Sequence, residues 1–298
     1  MFAPSWPEPA RTNASRRRDV LRNLLILGRA SNLPGIWSNC LAGWWLGGDR
    51  TVAHLPFILA GATFLYLGGA FLNDAFDADY DRQHRRARPI PAGYASAKAV
   101  LGWAIGWLLA GVVLLFLTDL NTGIWGMALA VAIVVFNVVH RVLTFSAVLL
   151  GGCRWLLYLV AGSAAEYGVT GWSFWGGLVL AAYVTALASV EDPETRWTVI
   201  LLASPLVLSW VMNVNEYREG GFLLSAVLGL WILRSLRYTL WSSEPDPIRT
   251  RRGLMAGIIF VDWLAIVDAP KELSVVLIGL FLVTLSLQRL MPVVMKEE

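Results

Sequence analysis

The sequence contains few charged residues. Asp, Glu, Lys and Arg make up 15% of its 298 residues, whereas a soluble domain carries about 25%. The hydrophobic share is 57% and the mean hydropathy is +0.59. These proportions exclude an ordinary water-facing surface and indicate a chain that faces lipid.

Cysteine is also scarce. The chain has two cysteines, Cys40 and Cys153, and both lie within apolar runs. A disulfide framework or a zinc site needs more cysteines or histidines at closer spacing. We therefore interpret both cysteines as small buried side chains.

Apolar runs with little or no charge are abundant. A helix that crosses a bilayer needs roughly 20 mostly apolar residues. Runs of about that length predict nine spans, at residues 30–48, 55–72, 99–118, 120–139, 146–166, 167–190, 197–215, 220–240 and 272–291. A shorter run at 253–268 is a candidate tenth span. Because barrel strands would alternate over about 10 residues, these continuous runs predict an all-α, polytopic transmembrane helical bundle.

Arginine is concentrated in alternate connections between the runs. Loops rich in Lys and Arg face the cytoplasm, so the pattern predicts a multi-pass protein of an inner or plasma membrane if the source is bacterial. The predicted cytoplasmic loops lie at 74–98, 140–145, 191–196 and 241–252. The predicted organisation is a basic cytoplasmic segment at 1–23, one transmembrane domain at 24–291 and a polar tail at 292–298. Because the arginines flank membrane spans, we expect no nucleic-acid partner.

The stretch most informative about function is NDAFDADYDRQHRRARPIPAG, residues 73–93. Asp74, Asp77 and Asp81 are three and four residues apart, which places them on one face of a helix. Like charges at this spacing repel, and a divalent cation would compensate for the repulsion. Oxygen ligands without His or Cys suit Mg²⁺, which prefers a few carboxylates together with water and phosphate oxygens.

Arginines follow these acids directly. Arg82, Arg85, Arg86 and Arg88 offer forked donors for phosphate oxygens. Acids beside arginines at a membrane surface indicate a diphosphate bridged by metal. The alternative interpretation is a polar helix end followed by an ordinary cytoplasmic basic loop.

The stretch resembles the NDxxDxxxD signature of the UbiA superfamily of intramembrane prenyltransferases. In that family Arg-Pro and Gly follow the signature, here Arg88, Pro89 and Gly93. Upstream, Arg29 and Asn32 resemble the Arg-Pro-x-Asn that opens family members, with Ala in place of Pro. After the fourth span, Asn137, His140 and Arg141 resemble a short basic stretch of the family.

This resemblance implies Mg²⁺-dependent transfer of an isoprenyl group from its diphosphate to a hydrophobic acceptor, often an aromatic ring, within a bilayer. It implies metal ligands at Asn73, Asp74, Asp77, Asp81, Glu191 and Asp192. It implies catalytic acids at Asp77, Asp81 and Asp192. It implies substrate-binding residues at Arg29, Asn32, Arg82, Arg88 and Arg141.

The second aspartate motif of the family, DxxxD, has no regular counterpart. SVEDPETRW stands in its place at residues 189–197, and Glu191 and Asp192 are the acids available there. Pro193 favours a turn where a helical row would be needed. A family relative that binds or transports a polyprenyl or other hydrophobic metabolite without catalysis is therefore one alternative, and an unrelated transporter is another. Arg154 within a span is open to either a site role or a structural one.

Overall fold

The computed structural model describes residues 27–48, 52–86, 88–143, 145–190, 195–216 and 220–290. All regular structure within these ranges is helical. The predicted N-terminal segment at 1–23, the polar tail at 292–298, and the acids Glu191 and Asp192 lie outside the described residues.

Eleven α-helices follow one another within these ranges. They are α1 (Leu33–Leu46), α2 (Leu55–Phe76), α3 (Ala78–His84), α4 (Ala97–Phe116), α5 (Leu120–Val139), α6 (Ser146–Ser163), α7 (Gly171–Ser189), α8 (Ser204–Glu216), α9 (Gly221–Leu240), α10 (Pro247–Ala265) and α11 (Lys271–Leu290). Short 3-10 helices cover Ala30–Asn32, Val52–His54 and Arg196–Ala203.

Seven helical segments in the described part of the chain are long and apolar enough to cross a membrane. They are Val52–Phe76, α4, α5, α6, α7, α9 and α11. The predicted count of nine spans is not confirmed. The run at 30–48 forms only 14 residues of α-helix in α1, and the run at 197–215 divides between a 3-10 helix and α8. The candidate tenth span lies in α10, whose first turns carry three arginines.

Helices α1 and α6 pack with their backbones in close approach. A Cβ added to Gly43 would lie 2.7 Å from the carbonyl oxygen of Tyr158, and one added to Gly47 would lie 2.6 Å from that of Gly162. Small residues four apart allow such contact between membrane helices. The approach brings the polar side chains of α1 beside those of α6.

Alternate connections meet at the same end of the bundle. At one end, the amide of Tyr167, after α6, donates to the carbonyl oxygen of Gly47, after α1, over 2.8 Å. At the other end, Arg141, after α5, contacts Asp77, after α2. The loops predicted to share a side at 74–98 and 140–145 are therefore adjacent. The candidate site lies at this second end.

Candidate active site

The acidic stretch forms a nearly continuous helical stripe. Asp77 joins α2 to α3 with φ −79° and ψ −3°, close to helical values. The 13-atom hydrogen-bond pattern continues through it, from the Asp77 amide to the Asn73 carbonyl at 2.9 Å and from the Asp81 amide to the Asp77 carbonyl at 2.8 Å. Residues three and four apart thus remain on one face.

That face is turned into the bundle. Asn73, Asp74, Asp77 and Asp81 are 8%, 7%, 4% and 1% exposed. The side chain of Asp79, which lies off the stripe, is 89% exposed. Carboxylates are almost never so buried unless they are paired or bind a metal, so the partners of this stripe decide its chemistry.

Two arginines, one before α1 and one after α3, pair with Asn73, Asp74 and Asp81 of the stripe. Arg29 donates through Nη2 to Asn73 Oδ1 and to Asp74 Oδ1, the latter over 3.2 Å. Arg88 donates through Nη1 to Asp81 Oδ2 over 2.8 Å and lies 3.4 Å from Asp74 Oδ1. Asp74 is therefore held between two guanidinium groups.

The backbone is left-handed at Arg29, and it forms turns on both sides of Arg88. Arg29 has φ +44°, the one non-glycine residue of the described chain with positive φ, and such conformations cost about 1–3 kcal/mol. After α3 ends at His84, the Arg88 amide donates to the Arg85 carbonyl over 3.1 Å, and a second turn follows in which the Tyr94 amide donates to the Pro89 carbonyl over 2.9 Å. Gly93 supplies the positive φ, +79°, that this turn requires.

Asp77 has its own pair of partners after α5. Arg141 donates through Nε to Asp77 Oδ1 over 2.5 Å, and His140 Nε2 lies 3.3 Å from the same oxygen. Burial raises the pKa of Asp77, but hydrogen bonds from His140 and Arg141 outweigh it and hold the pKa well below its ordinary value. The Arg141 guanidinium also stacks 3.9 Å from the Tyr80 ring centroid.

The structure does not bring every predicted residue into this group. Arg82 pairs with Asp79 over 2.6 Å on the exposed side, away from the stripe. The side chain of Asn32 hydrogen-bonds to Tyr66, and among the described residues no hydrogen bond joins it to the carboxylates of the stripe. His140, absent from the predicted site residues, joins the group through Asp77 and through Asn73 Nδ2 at 3.4 Å. Its signal in the sequence was its place beside Arg141 at a span end.

The side chains fit a hard cation that shares its ligands with a substrate. The donors are oxygens, and Asp81 Oδ1 is buried without a hydrogen-bond partner, with Arg85 Nη1 at 4.0 Å. Among the described residues, no three His, Cys, Asp or Glu side chains converge tightly enough to hold a metal by themselves. Mg²⁺ usually takes one or two carboxylates and completes its coordination shell with water and substrate phosphate. Asp77 and Asp81 could therefore supply all the carboxylate ligands that one Mg²⁺ needs from the stripe.

Two further charged residues lie apart from the stripe. Arg154 of α6 and Asp262 of α10 are both buried and are bridged by Asn39 of α1. Both belong to a polar cluster in the interior of the bundle, and neither contacts the acids of the stripe.

The model of the UbiA prenyltransferase family matches residues 33–258 of this sequence. The chain belongs to the UbiA prenyltransferase family. Its helices also superpose on solved members. The apo UbiA homologue from Aeropyrum pernix K1 has a TM-score of 0.63 at 16% identity, covering 80% of this chain and 96% of that one. The UbiA homologue from Archaeoglobus fulgidus bound to GPP and Mg²⁺ has a TM-score of 0.51 at 14% identity, covering 89% and 99%.

A curated UbiA relative is similar over a shorter stretch. The digeranylgeranylglyceryl phosphate synthase of Methanothrix thermoacetophila is 33% identical over 90 residues, which is 30% of this chain and 34% of that protein. The match thus spans about a third of the relative's length. The UbiA fold and the seven apolar helical segments together make this chain an integral membrane protein.

Proposed function

We propose that this chain is a Mg²⁺-dependent intramembrane prenyltransferase that transfers an isoprenyl group from a prenyl diphosphate to a hydrophobic acceptor with an aromatic ring. The observation that carries the proposal is the buried acidic stripe with arginines from three separate segments around it. Arg29, Arg88 and Arg141 come from different parts of the chain and converge on Asp74, Asp77 and Asp81.

Charge balance supports a diphosphate together with a cation. The three carboxylates are matched by three guanidinium groups. A prenyl diphosphate adds roughly three negative charges near neutral pH, which the site alone would leave uncompensated. Bound Mg²⁺ would supply that compensation and stabilise the leaving group as a Lewis acid.

Different residues of the site would bind the cation and the diphosphate. Asn73, Asp77 and Asp81 would hold the cation, and Arg29, Arg88 and Arg141 would turn their donors to the diphosphate oxygens. The bond between the allylic carbon and the diphosphate oxygen then breaks, and its electron pair leaves with the diphosphate. The acceptor forms the new bond to the allylic cation and loses a proton. A bundle interior of apolar side chains limits access of water to the cation.

The relatives support the prenyl-transfer part of this proposal and leave the aromatic acceptor as a proposal alone. The Archaeoglobus fulgidus homologue binds GPP and Mg²⁺, and the Methanothrix thermoacetophila relative is a synthase of a prenylated glyceryl phosphate. We further propose that Glu191 and Asp192 bind a second Mg²⁺. The arginine-rich loops support a cytoplasmic position for the site end of the bundle.

The test is prenyl transfer by the purified protein in lipid nanodiscs. Geranyl diphosphate should bind with Mg²⁺ and lose most of its affinity when a chelator is added. Lipid extracts from cells with and without the gene should differ by a prenylated product in mass spectrometry. Mg²⁺-dependent binding with no product in either assay would favour the binding or transport alternative. An absence of Mg²⁺-dependent binding would refute the proposed site.

A further inference from the structure

The connection between α9 and α10 carries a dense group of arginines. Arg234 and Arg237 lie in the last two turns of α9, and Arg249, Arg251 and Arg252 lie in the first two turns of α10. Helix α9 is long and apolar enough to cross a membrane, so these side chains stand at a boundary between membrane and water. The positive-inside rule accounts for their number, but not for the way in which three of them are held.

Those three arginines are held by aromatic rings. The guanidinium carbons of Arg249 and Arg237 lie 3.9 Å and 4.7 Å from the centroid of one ring, that of Tyr238. Arg237 Nη2 also donates to Tyr238 Oη over 2.9 Å. The guanidinium carbon of Arg234 lies 4.8 Å from the Trp231 ring centroid. Stacking on a ring uses the flat face of a guanidinium, so N–H donors in its plane remain available for an anion.

The same three arginines are not paired with acids. In the described part of the chain, no ion pair joins Arg234, Arg237 or Arg249 to a carboxylate. The acids of the connection are Glu244 and Asp246, and the Asp246 carboxylate accepts from the amide of Arg249 over 2.9 Å. Neighbouring cations repel one another, and an anion bound between them would offset the repulsion.

The connection that presents these arginines is closely packed. The buried hydroxyl groups of Thr239 and Thr250 lie 2.6 Å apart, and Thr250 donates to the Ser235 carbonyl over 3.0 Å. The Asp246 amide donates to the Tyr238 carbonyl over 2.8 Å. The backbone around the arginines is thus ordered before any ligand arrives, which lowers the entropy cost of binding one.

The arginines lie at the end of the bundle that carries the acidic stripe. Helix α10 passes α1 with Asp262 bonded to Ser38, and a Cβ added to Gly35 would lie 3.9 Å from Ile258. The two helices therefore run in the same direction, and α10 begins at the end of the bundle where α1 begins. Trp241, 66% exposed just after α9, marks the level of the lipid headgroups, where tryptophans of membrane proteins are enriched.

We propose that Arg234, Arg237 and Arg249, here termed the arginine patch, bind the headgroup phosphate of an anionic phospholipid. Guanidinium groups form charge-assisted hydrogen bonds with phosphate oxygens. The cytoplasmic leaflet is the one rich in anionic lipids, and the site end of the bundle is proposed to face it. None of the contacts that form the patch involves an acid of the stripe, so the lipid binds without Mg²⁺ or a prenyl diphosphate.

The test is lipid binding by the purified, delipidated protein in detergent, measured by native mass spectrometry. Dioleoyl phosphatidylglycerol and dioleoyl phosphatidylcholine have the same acyl chains and differ in headgroup charge. Each is titrated separately, without Mg²⁺ or geranyl diphosphate. We expect the phosphatidylglycerol to bind at least fivefold more tightly, and equal binding of the two lipids would overturn the proposal.

Variants connect this preference to the arginine patch. Arg237→Gln and Arg249→Gln each remove one cation of the patch and should lower the preference at least threefold. Lys98→Gln removes an exposed cation at the start of α4, with the same loss of charge, and should keep the wild-type preference. Tyr238→Phe keeps the ring and should stay near the wild type, whereas Tyr238→Leu removes the ring and should lower the preference.

Three further outcomes would overturn the proposal. The first is wild-type preference in both arginine variants, and if one of them does not fold, the other decides. The second is an equal loss of preference in Lys98→Gln, because net charge would then set the preference. The third is displacement of the phosphatidylglycerol by inorganic phosphate at the same concentration, which would assign the patch to a free anion. All of these results are independent of prenyl transfer.

Discussion

Replacing Asp77 by Asn removes one charge from the acidic stripe and keeps the size of the side chain. The carboxylate is 6% exposed and is bonded to Arg141 over 2.5 Å. Because its pKa lies below the ordinary value, it is ionised at neutral pH, and the substitution removes a full negative charge. Loss of one member of a buried charge pair costs about 2–5 kcal/mol, so Mg²⁺-dependent affinity for geranyl diphosphate should fall roughly 30- to 4,000-fold.

Asp79→Asn is the matched control. Asp79 lies two residues away, and its side chain is 89% exposed beside Arg82, where an ion pair contributes about 0–1 kcal/mol. Equilibrium binding of geranyl diphosphate is measured for both variants with Mg²⁺ and with chelator, and thermal unfolding is followed in parallel. We expect Asp79→Asn to match the wild type in binding and in melting temperature.

The comparison has two results that would refute the reasoning. Wild-type affinity in Asp77→Asn would show that this acid neither holds the cation nor orients Arg141 for the diphosphate. An equal loss of affinity in both variants would show that net charge at this end of the bundle matters, rather than the buried stripe. A lower melting temperature without a loss of affinity would assign Asp77 a structural role alone.

Three further predictions address packing, topology and the second acidic segment. Gly43→Ala should lower stability by about 1–3 kcal/mol because its Cβ would overlap Tyr158, whereas Gly102→Ala, with open space at its Cβ, should be neutral or slightly stabilising in thermal unfolding. Single cysteines at Arg86 and Arg50 should react with a membrane-impermeant reagent from opposite sides, and labelling from one side would contradict the alternation of loops. Double replacement of the acids at 191–192 by Ala should reduce turnover more than diphosphate affinity, and full product formation would remove them from the mechanism.

The helices and the acidic stripe were predictable because both depend on local spacing. An apolar run of span length specifies a helix without information from elsewhere in the chain. Acids at spacings of three and four share a face wherever the helix continues, and the structure continues it through Asp77. Both features follow from the geometry of a single helix.

The partners of the stripe were less predictable because they depend on contacts across the chain. Arg82 follows the acids directly, so local spacing suggested a diphosphate ligand, yet it pairs with exposed Asp79 three residues before it. Arg88 reaches Asp81 because the chain leaves the helix at Arg85, where φ is −144° and ψ is 60°, and the Arg88 amide then donates to the Arg85 carbonyl. The hydrophobic pattern carries no information about such a turn.

The predicted count of nine spans was not confirmed, and the physical reason is related. Hydropathy measures how apolar a run is, but not where its helix begins. A left-handed residue, Arg29, stands just before the run at 30–48, and a 3-10 turn over Ala30–Asn32 occupies the start of the run before α1 begins at Leu33. The side chain of Arg29, at this irregular start, contacts Asn73 and Asp74 of the stripe.

The pairing of acids with arginines explains how so much charge can be buried at one end of a membrane bundle. Three exposed carboxylates in a row would repel, and three buried ones without partners would cost several kcal/mol each. Arg29, Arg88 and Arg141 offset part of that cost in the absence of ligand. When a diphosphate and a cation arrive together, each arginine can exchange a carboxylate for a phosphate oxygen, and each carboxylate can exchange an arginine for the metal. Every charge then has a partner before and after binding, so the affinity of the site depends on the two ligands binding together, and neither alone should bind tightly.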